Sequence, residues 1–166
     1  IVSCGTTADS NAKQFPAFTG KDLDGNDVSS DKLFSGNAFT VVNFWFTTCK
    51  PCVGELGDLE ALHKDVAGKG GAVVGINAFT LGGDAAAIAD AKDVLTKSGA
   101  TYQNVYFDAD SEAGKFTENV YAYPTTYVVD RNGNIVGDPI VGAITSDGQM
   151  EALQALIDTA LANDKG

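Results

Sequence analysis

The sequence predicts an α/β domain in which a central mixed β-sheet, mostly parallel, carries helices on both faces. Two apolar runs rich in β-branched residues, at 39–46 and 72–79, are typical of strands buried on both faces. A stretch with helical periodicity follows each run, and strands that alternate with helices form parallel sheets. With 166 residues, 44% of them hydrophobic, the chain is long enough to bury one such core.

Turn signals and periodicity predict the other elements. Residues 1–14 lack apolar periodicity and are predicted to be a flexible tether, so we expect the folded domain at 15–166. Asp-Gly-Asn at 24–26 predicts an N-terminal hairpin, and Asn-Gly at 132–133 predicts a second one. The remaining expected elements are helices at 49–68, 84–98, 111–119 and 147–162, and strands at 105–107, 125–129 and 135–141.

Composition excludes some functions. The formal net charge of -11 disfavours nucleic-acid binding, which needs Lys and Arg to displace phosphate counterions. An acidic surface favours solubility and indicates no specific partner. The chain has no run of about 20 apolar residues, so we expect no membrane-spanning helix. Its 3 cysteines are too few for a disulfide scaffold.

The first cysteine, Cys4, stands apart from the other two. The run Ile1-Val2-Ser3-Cys4-Gly5 resembles a bacterial lipoprotein cleavage site, which implies that Cys4 becomes a lipid-carrying N-terminus. The protein would then be extracytoplasmic and anchored to the bacterial membrane through a lipoprotein-signal remnant and tether at 1–14. The alternative is an unpaired thiol in a tail.

The other two cysteines form a C-x-x-C pair at the predicted start of a helix. Cys49 is expected at the N-cap, Pro51 in the first turn and Cys52 one turn on. Side chains three apart on a helix have Cβ atoms about 5–6 Å apart, close to what a disulfide needs. The unpaired N–H groups of a first turn stabilise a thiolate and lower its pKa to roughly 3.5–7.5.

Other uses of the pair fit less well. A disulfide that closes so small a loop constrains the unfolded chain little, so a structural staple is a poor explanation. Tetrahedral zinc needs four ligands, and the only histidine, His63, is expected on the solvated face of its helix. A peroxidatic cysteine follows a P-x-x-x-[ST]-x-x-C pattern, but Val42 and Phe46 occupy the two key positions before Cys49.

The ordered set of motifs resembles a known family. "VVNFWFTTCKPC", then a helix, then "YAYPTTYVVDRNGNIV" are similar to the thioredoxin fold, and the closer similarity is to the membrane-tethered TlpA/ResA-like proteins. The resemblance covers about residues 15–163. The N-terminal hairpin and the inserted strand–helix segment at 72–98 are also features of that branch.

The resemblance implies roles for individual residues. Cys49 would be the exposed nucleophile that attacks a partner disulfide, and Cys52 the resolving thiol. Pro124 would be cis, face the disulfide, and present the backbone of Tyr123 to an extended substrate. Thr125 and Thr126 are expected to be ordinary strand residues. The residues expected to contact a substrate are Trp45, Thr48, Lys50, Pro51 and Tyr123.

Two positions depart from the family pattern. Asn43 stands where many thioredoxins carry a buried aspartate, and an amide cannot accept that proton. Glu55, three residues after Cys52, is the expected replacement as proton acceptor, the alternative being a charge that complements the helix N-terminus. Thr48 replaces the tryptophan that commonly precedes the first cysteine, while Trp45 is expected beneath the site.

The implied function is an extracytoplasmic thiol–disulfide oxidoreductase that reduces disulfides in partner proteins and contributes to cell redox homeostasis. A membrane thiol-transfer protein would supply its electrons. No cofactor is implied, no nucleic acid is expected as partner, and a monomer is expected. The alternatives are a copper or zinc delivery module and a peroxiredoxin-type peroxidase. Copper-delivery relatives usually use C-x-x-x-C and add a histidine near the hairpin, and the sequence has neither feature.

Overall fold

The computed structural model describes residues 13–164 and confirms an α/β architecture. The strands are β1 (Lys13–Gln14), β2 (Thr19–Asp22), β3 (Asp27–Ser29), β4 (Phe39–Trp45), β5 (Gly71–Asn77), β6 (Gln103–Tyr106), β7 (Thr125–Asp130) and β8 (Asn134–Val141). The helices are α1 (Ser30–Ser35), α2 (Lys50–Gly54), α3 (Leu56–Ala67), α4 (Ala85–Lys97), α5 (Glu112–Glu118) and α6 (Gln149–Asn163), with a 3₁₀ segment at Ala78–Gly83.

Within the described residues, the strands form one sheet in the order β1-β8-β7-β4-β5-β6-β2-β3. β4 lies at its centre, parallel to β5 and antiparallel to β7. The β2–β3 hairpin extends one edge through antiparallel pairing with β6, and β8 and β1 extend the other. In this register Asn43 stands between Gly75 and Thr126.

The alternation of β4 separates two cores. Phe39, Val41 and Trp45 belong to one apolar cluster together with residues of α3, α4 and α6. Val42 and Phe44 belong to a second cluster together with residues of α1 and α5. Side chains alternate across a strand, so the two clusters occupy opposite faces of the sheet. Every residue of β4 is buried, as the apolar run predicted.

Both predicted hairpin turns form, and an aspartate organises each. Asp22 Oδ1 accepts the backbone N–H groups of residues 24 and 26, and Asp130 Oδ1 accepts those of residues 132 and 134. Gly25 and Gly133 adopt φ of 90° and 84°, the left-handed region that glycine enters at least cost. The Asn-Gly and Asp-Gly signals were therefore reliable because they reflect local backbone chemistry.

The single helix predicted at 49–68 is in fact two. α2 ends at Gly54, Glu55 has φ -99° and ψ 0°, and α3 begins at Leu56. The Glu55 N–H reaches back only three residues, to the Cys52 carbonyl at 3.2 Å, which tightens the last turn of α2. Glycine is a weak helix former, so Gly54 favours a break at this point.

Other boundaries also differ from the sequence prediction. Residues 13 and 14, assigned to the tether, pair with β8 as β1. Helix α1 was not predicted. β5 ends at Asn77, and the apolar residues after it continue into the 3₁₀ segment, whose start Asn77 caps by accepting the N–H of Phe79.

His63 was wrongly placed on a solvated helix face. Its side chain is half-buried, and Nδ1 accepts the N–H of Val73 at 3.1 Å. β6 pairs with β5 only from Val74 onward, so the Val73 N–H lies beyond the ladder of hydrogen bonds between these strands. It donates to the imidazole of His63 instead. Among residues 13–164, no helix is long and apolar enough to cross a bilayer.

Candidate active site

Cys49 and Cys52 form a disulfide at the start of α2, with their Cα atoms 5.2 Å apart. Cys49 is the N-cap, as predicted, and its Sγ accepts the backbone N–H of Cys52 at 3.3 Å. Pro51 lies in the first turn, where no helical N–H is needed. A thiolate on Cys49 would keep this N–H as a donor, so the geometry favours the thiolate form.

The two sulfur-bearing residues differ less in exposure than the sequence suggested. Cys49 is 6% exposed and Cys52 0%, so the predicted exposed nucleophile is largely buried in this disulfide form. Cys49 and Cys52 both belong to the apolar cluster that contains Trp45 and residues of α3. Thr48, Lys50 and Pro51, by contrast, are exposed and surround Cys49. Cys49 is therefore the more accessible partner, and its immediate neighbours are open to a bound protein.

The peptide bond between Tyr123 and Pro124 is cis, as the resemblance implied. Pro124 is buried, and its carbonyl accepts the N–H of Gly142 at 2.8 Å. Tyr123 is half-buried and donates its hydroxyl to the Thr117 carbonyl at 3.2 Å. That Pro124 faces the disulfide remains a prediction.

Trp45 has no exposed surface with which to contact a substrate. Its ring lies in the same apolar cluster as the disulfide, and Nε1 donates to Asn104 Oδ1 at 2.8 Å. The buried ring leaves no surface for the predicted substrate contact, because the last residue of β4 points into the core, and that Trp45 lies directly beneath the site stays a prediction.

Glu55 is buried beneath the helix break, at 1% exposure. Its Oε1 accepts a hydrogen bond from Asn43 Nδ2 at 3.0 Å, and its Oε2 accepts one from the N–H of Ile144 at 2.8 Å. The alternative, a charge that complements a helix N-terminus, gains no support from hydrogen bonding: Glu55 is the N-cap of α3, but its side chain makes no cap hydrogen bond and instead accepts from Asn43 and Ile144 in the core.

The pKa of Glu55 is raised from 4.5 to about 7. Burial is the main cause, because it removes water from the ionised form. The hydrogen bonds from Ile144 and Asn43 lower the pKa, and the nearby charge of Asp58 raises it slightly. A carboxyl group with this pKa exchanges its proton near neutral pH, which suits a general acid or base.

Asn43 and Thr126 complete the network, and the sequence reasoning assigned neither of them to it. Asn43 Nδ2 donates both to Glu55 and to Thr126 Oγ1, each at 3.0 Å. Thr126, expected to be an ordinary strand residue, therefore supports the acid. The sequence signal that could have indicated this role is the position of Thr126, two residues after Pro124. Asn43 Oδ1 is buried and has no partner in the described part of the chain.

Tyr102 is a further buried residue with a polar group on this side of the sheet. It is 4% exposed, and its hydroxyl has no hydrogen-bond partner among residues 13–164. Burial raises the pKa of this phenol, and the charges of Glu55 and Glu60 raise it further. Tyr102 therefore stays neutral at physiological pH.

Comparison with known proteins identifies the family. Residues 12–137 match the model of the AhpC/TSA family. A curated relative, the thioredoxin-like protein YneN of Bacillus subtilis (strain 168), is 34% identical over 135 residues, covering 80% of this chain and 72% of YneN. The chain belongs to the AhpC/TSA family.

Other relatives of this family member confirm the TlpA/ResA-like resemblance. The thiol-disulfide oxidoreductase ResA of Bacillus thuringiensis (strain Al Hakam) is 25% identical over 138 residues, covering 81% of this chain and 72% of ResA. The crystal structure of a thiol:disulfide interchange protein of the thioredoxin family from Chlorobium tepidum TLS superposes with a TM-score of 0.66. It is 26% identical and covers 91% of this chain and 97% of its own.

These relatives and the cysteine pair establish the activity of this family member. The fold is thioredoxin-like, and the protein is a thiol–disulfide oxidoreductase whose reactive pair is the C-x-x-C at the start of α2. Within residues 13–164, no group of three or more His, Cys, Asp or Glu side chains is arranged to hold a metal ion. Cys4 lies outside the described residues.

Proposed function

We propose that this enzyme works outside the cytoplasm, anchored to the membrane by lipid on Cys4, and reduces disulfides in partner proteins. The observation that supports the redox role best is Cys49 at the N-cap of α2, with the Cys52 N–H directed at its sulfur. This arrangement stabilises the Cys49 thiolate and hence the reduced form from which reduction of a partner begins. Lys50, which is exposed beside Cys49, adds a cation that favours the same state.

Reduction proceeds by two thiol–disulfide exchanges. The Cys49 thiolate attacks one sulfur of the partner disulfide, so that a mixed disulfide forms and the other partner sulfur leaves as a thiolate. The Cys52 thiolate then attacks Cys49 Sγ, which forms the Cys49–Cys52 disulfide and releases the second partner thiolate. The two electrons come from the enzyme dithiol, and a membrane thiol-transfer protein, itself a dithiol, restores it.

Glu55 is proposed to take the proton of Cys52 before the second exchange. Glu55 follows Cys52 by three residues, and its N–H donates to the Cys52 carbonyl at 3.2 Å. With a pKa of about 7, the carboxyl group is an effective acceptor near neutral pH. Asn43 and Ile144 hold the carboxylate in place through the hydrogen bonds described above.

A trapping experiment tests this role. We expect Cys52→Ser to accumulate a mixed disulfide between Cys49 and insulin, and Glu55→Gln, with both cysteines present, to slow release of the insulin chain. Glu60→Gln is the matched control, because Glu60 is a buried carboxylate on α3, the helix that Glu55 precedes, and accepts hydrogen bonds from Thr101. Turnover of Glu55→Gln equal to that of Glu60→Gln from pH 6 to 8 would remove the acid–base role. Failure of the reduced wild-type enzyme to reduce insulin would refute the reductase proposal itself.

The anchor is tested separately. Cys4→Ser should move the full-length protein from the membrane fraction of its host to the soluble fraction, because several acyl chains on one residue hold a protein stably. Disulfide reduction by the purified domain should be unchanged, since Cys4 takes no part in the exchange. A Cys4→Ser protein that stays in the membrane fraction after signal cleavage would place the anchor elsewhere.

A further inference from the structure

Three aromatic side chains form a continuous row beside the disulfide. The ring centroids of Phe46 and Phe79 are 5.2 Å apart, and those of Phe46 and Tyr123 are 5.3 Å apart at an interplanar angle of 80°. Such distances are those of favourable aromatic pairs. We call Phe79, Phe46 and Tyr123 the aromatic strip.

The aromatic strip is carried by three segments, and one of them leads directly into the reactive pair. The Phe46 carbonyl accepts the N–H of Cys49 at 3.1 Å, so Phe46 lies in the turn that delivers the nucleophile. Tyr123 immediately precedes the cis proline, Pro124. The third ring, Phe79, is carried by the 3₁₀ segment that follows β5.

Hydrogen bonds fix the loop that carries Phe79. The Phe79 N–H donates to Asn77 Oδ1 at 2.7 Å, and Asn77 Nδ2 donates to Thr47 Oγ1 at 2.9 Å. Thr80 Oγ1 donates to the Asn77 carbonyl at 2.9 Å, and both Asn77 and Thr80 are fully buried. Asn77 therefore ties the base of Phe79 to a residue two positions before Cys49.

The fold thus holds a large apolar ring in water next to its reaction centre. Phe79 is 49% exposed; among residues 13–164, the other exposed large hydrophobic residues are Tyr121 at 87% and Val141 at 37%. Single exposed apolar residues are ordinary, but a fixed ring continuous with two others forms an apolar patch, and such patches mark interaction sites.

We infer that the aromatic strip binds an aromatic or branched aliphatic side chain that flanks the cysteine of a protein substrate. The inference rests on the proposed reduction of protein disulfides. A mixed disulfide brings the partner sulfur within about 2.05 Å of Cys49 Sγ, so the residues next to the partner cysteine must lie on the surface around Cys49. A residue two positions along an extended chain lies roughly 7 Å from that cysteine.

The chemistry of the surroundings selects that occupant. Thr48 and Lys50, the exposed residues on either side of Cys49, offer a hydroxyl and a cation but no aromatic ring. In many relatives a tryptophan stands at the position of Thr48, as the family pattern described above indicates. The aromatic strip supplies apolar surface from a different direction, through Phe46 and the 3₁₀ segment.

Peptide reduction tests the inference. Two short peptides, each a disulfide-linked dimer through one cysteine, differ only in carrying leucine or serine two residues before that cysteine. The reduced enzyme should reduce the leucine peptide faster, and Phe79→Ser should lower the ratio of the two second-order rate constants by roughly three- to tenfold, the size expected for one aromatic contact. Phe79→Leu should retain most of the preference. Thermal unfolding checks that both variants stay folded.

Tyr121→Ser is the matched control, because Tyr121 is the more exposed aromatic residue and makes no ring contact with the strip in the described part of the chain. An unchanged ratio in Phe79→Ser, or an equal fall in Tyr121→Ser, would overturn the inference. So would sedimentation showing that Phe79→Ser dissociates a wild-type dimer, since the strip would then bind a second copy. If the wild-type enzyme reduces neither peptide, the proposed function fails instead.

Discussion

At the scale of single residues, the proposed mechanism of this enzyme depends on a carboxyl group in the core. Glu55 is held by an amide side chain and by a backbone N–H, and it is ionised only in part at neutral pH. An unpaired buried charge is costly, whereas a carboxyl group that can take up a proton avoids that cost. The same burial that makes Glu55 a useful proton acceptor therefore makes stability depend on pH.

Glu55→Gln should remove this dependence. The pKa of Glu55 is raised in the fold from 4.5 to about 7, so its contribution to stability is complete below about pH 4.5 and is lost as the pH rises through 7. The full shift corresponds to about 3 kcal/mol of the free energy of unfolding. Urea unfolding from pH 4.5 to 8 should show the wild-type enzyme losing about this much relative to Glu55→Gln. Parallel curves for the two proteins would contradict the shift.

Asn43→Asp restores the residue of many thioredoxins but should be harmful here. It would place a second carboxyl group about 3.0 Å from Glu55 Oε1, and two such groups cannot both ionise cheaply. We expect a loss of roughly 1.4–4 kcal/mol in the free energy of unfolding above pH 7, equivalent to one to three pKa units. The double variant with Glu55→Gln should recover much of that loss. Additive effects of the two changes would show that the carboxyl groups do not interact.

At the scale of elements, a side-chain hydrogen bond between β4 and β6 crosses β5 and requires a glycine on that strand. Trp45 on β4 donates to Asn104 on β6 across β5, and this contact passes over Gly75. A Cβ atom at Gly75 would lie 2.8 Å from Asn104 Cγ, which is closer than atoms can stand. The absence of a side chain at Gly75 is thus what lets Trp45 of β4 form its hydrogen bond with Asn104 of β6.

Gly75→Ala should therefore destabilise the domain. Asn104 must move, and Trp45 Nε1 then loses its acceptor in the core, so we expect a loss of about 1–3 kcal/mol in the free energy of unfolding. Gly54→Ala is the control, because a Cβ there meets no atom within 4 Å and alanine favours helix. It should be neutral or stabilise by up to about 1 kcal/mol. Equal stability of Gly75→Ala and wild type in urea would show that Asn104 adapts freely.

At the scale of the whole molecule, the sequence predicted what local chemistry decides. The cysteine at the N-cap, the two Asx-organised hairpin turns and the apolar stripes of the helices depend on neighbours in the chain. The resemblance supplied the cis bond before Pro124. The mixed sheet with helices on both faces follows from alternating strands and helices, whereas the order of the strands was not predicted.

Contacts between distant segments could not be predicted. Glu55 meets Ile144 across 89 positions, and no pattern near either residue indicates the other. His63 was placed in solvent because its helix pattern says nothing of a free N–H at Val73. The break at Glu55 was missed because the apolar stripe that predicted the helix begins only at Leu56 and carries no sign of a break before it.

Both redox forms of the molecule should remain folded. The disulfide joins residues only 3 positions apart, and closing so short a loop contributes at most about 2 kcal/mol in the chain-entropy view. The clusters on the two faces of the sheet remain when the bond is broken. Urea unfolding with and without a reductant should give two cooperative transitions that differ by no more than this amount. Loss of cooperativity on reduction would show that the bond is structural.

The hydrogen bond from Ile144 to Glu55 offers a way to follow the acid without altering it. The Ile144 amide is 2.8 Å from Oε2, so its magnetic environment changes whenever the carboxyl group gains or loses a proton. Its nitrogen and proton resonances should therefore trace a titration curve centred near the raised pKa of about 7. Because Ile144 lies beyond the last strand, far along the chain from the cysteines, this amide serves as a built-in spectroscopic probe of the protonation state of Glu55.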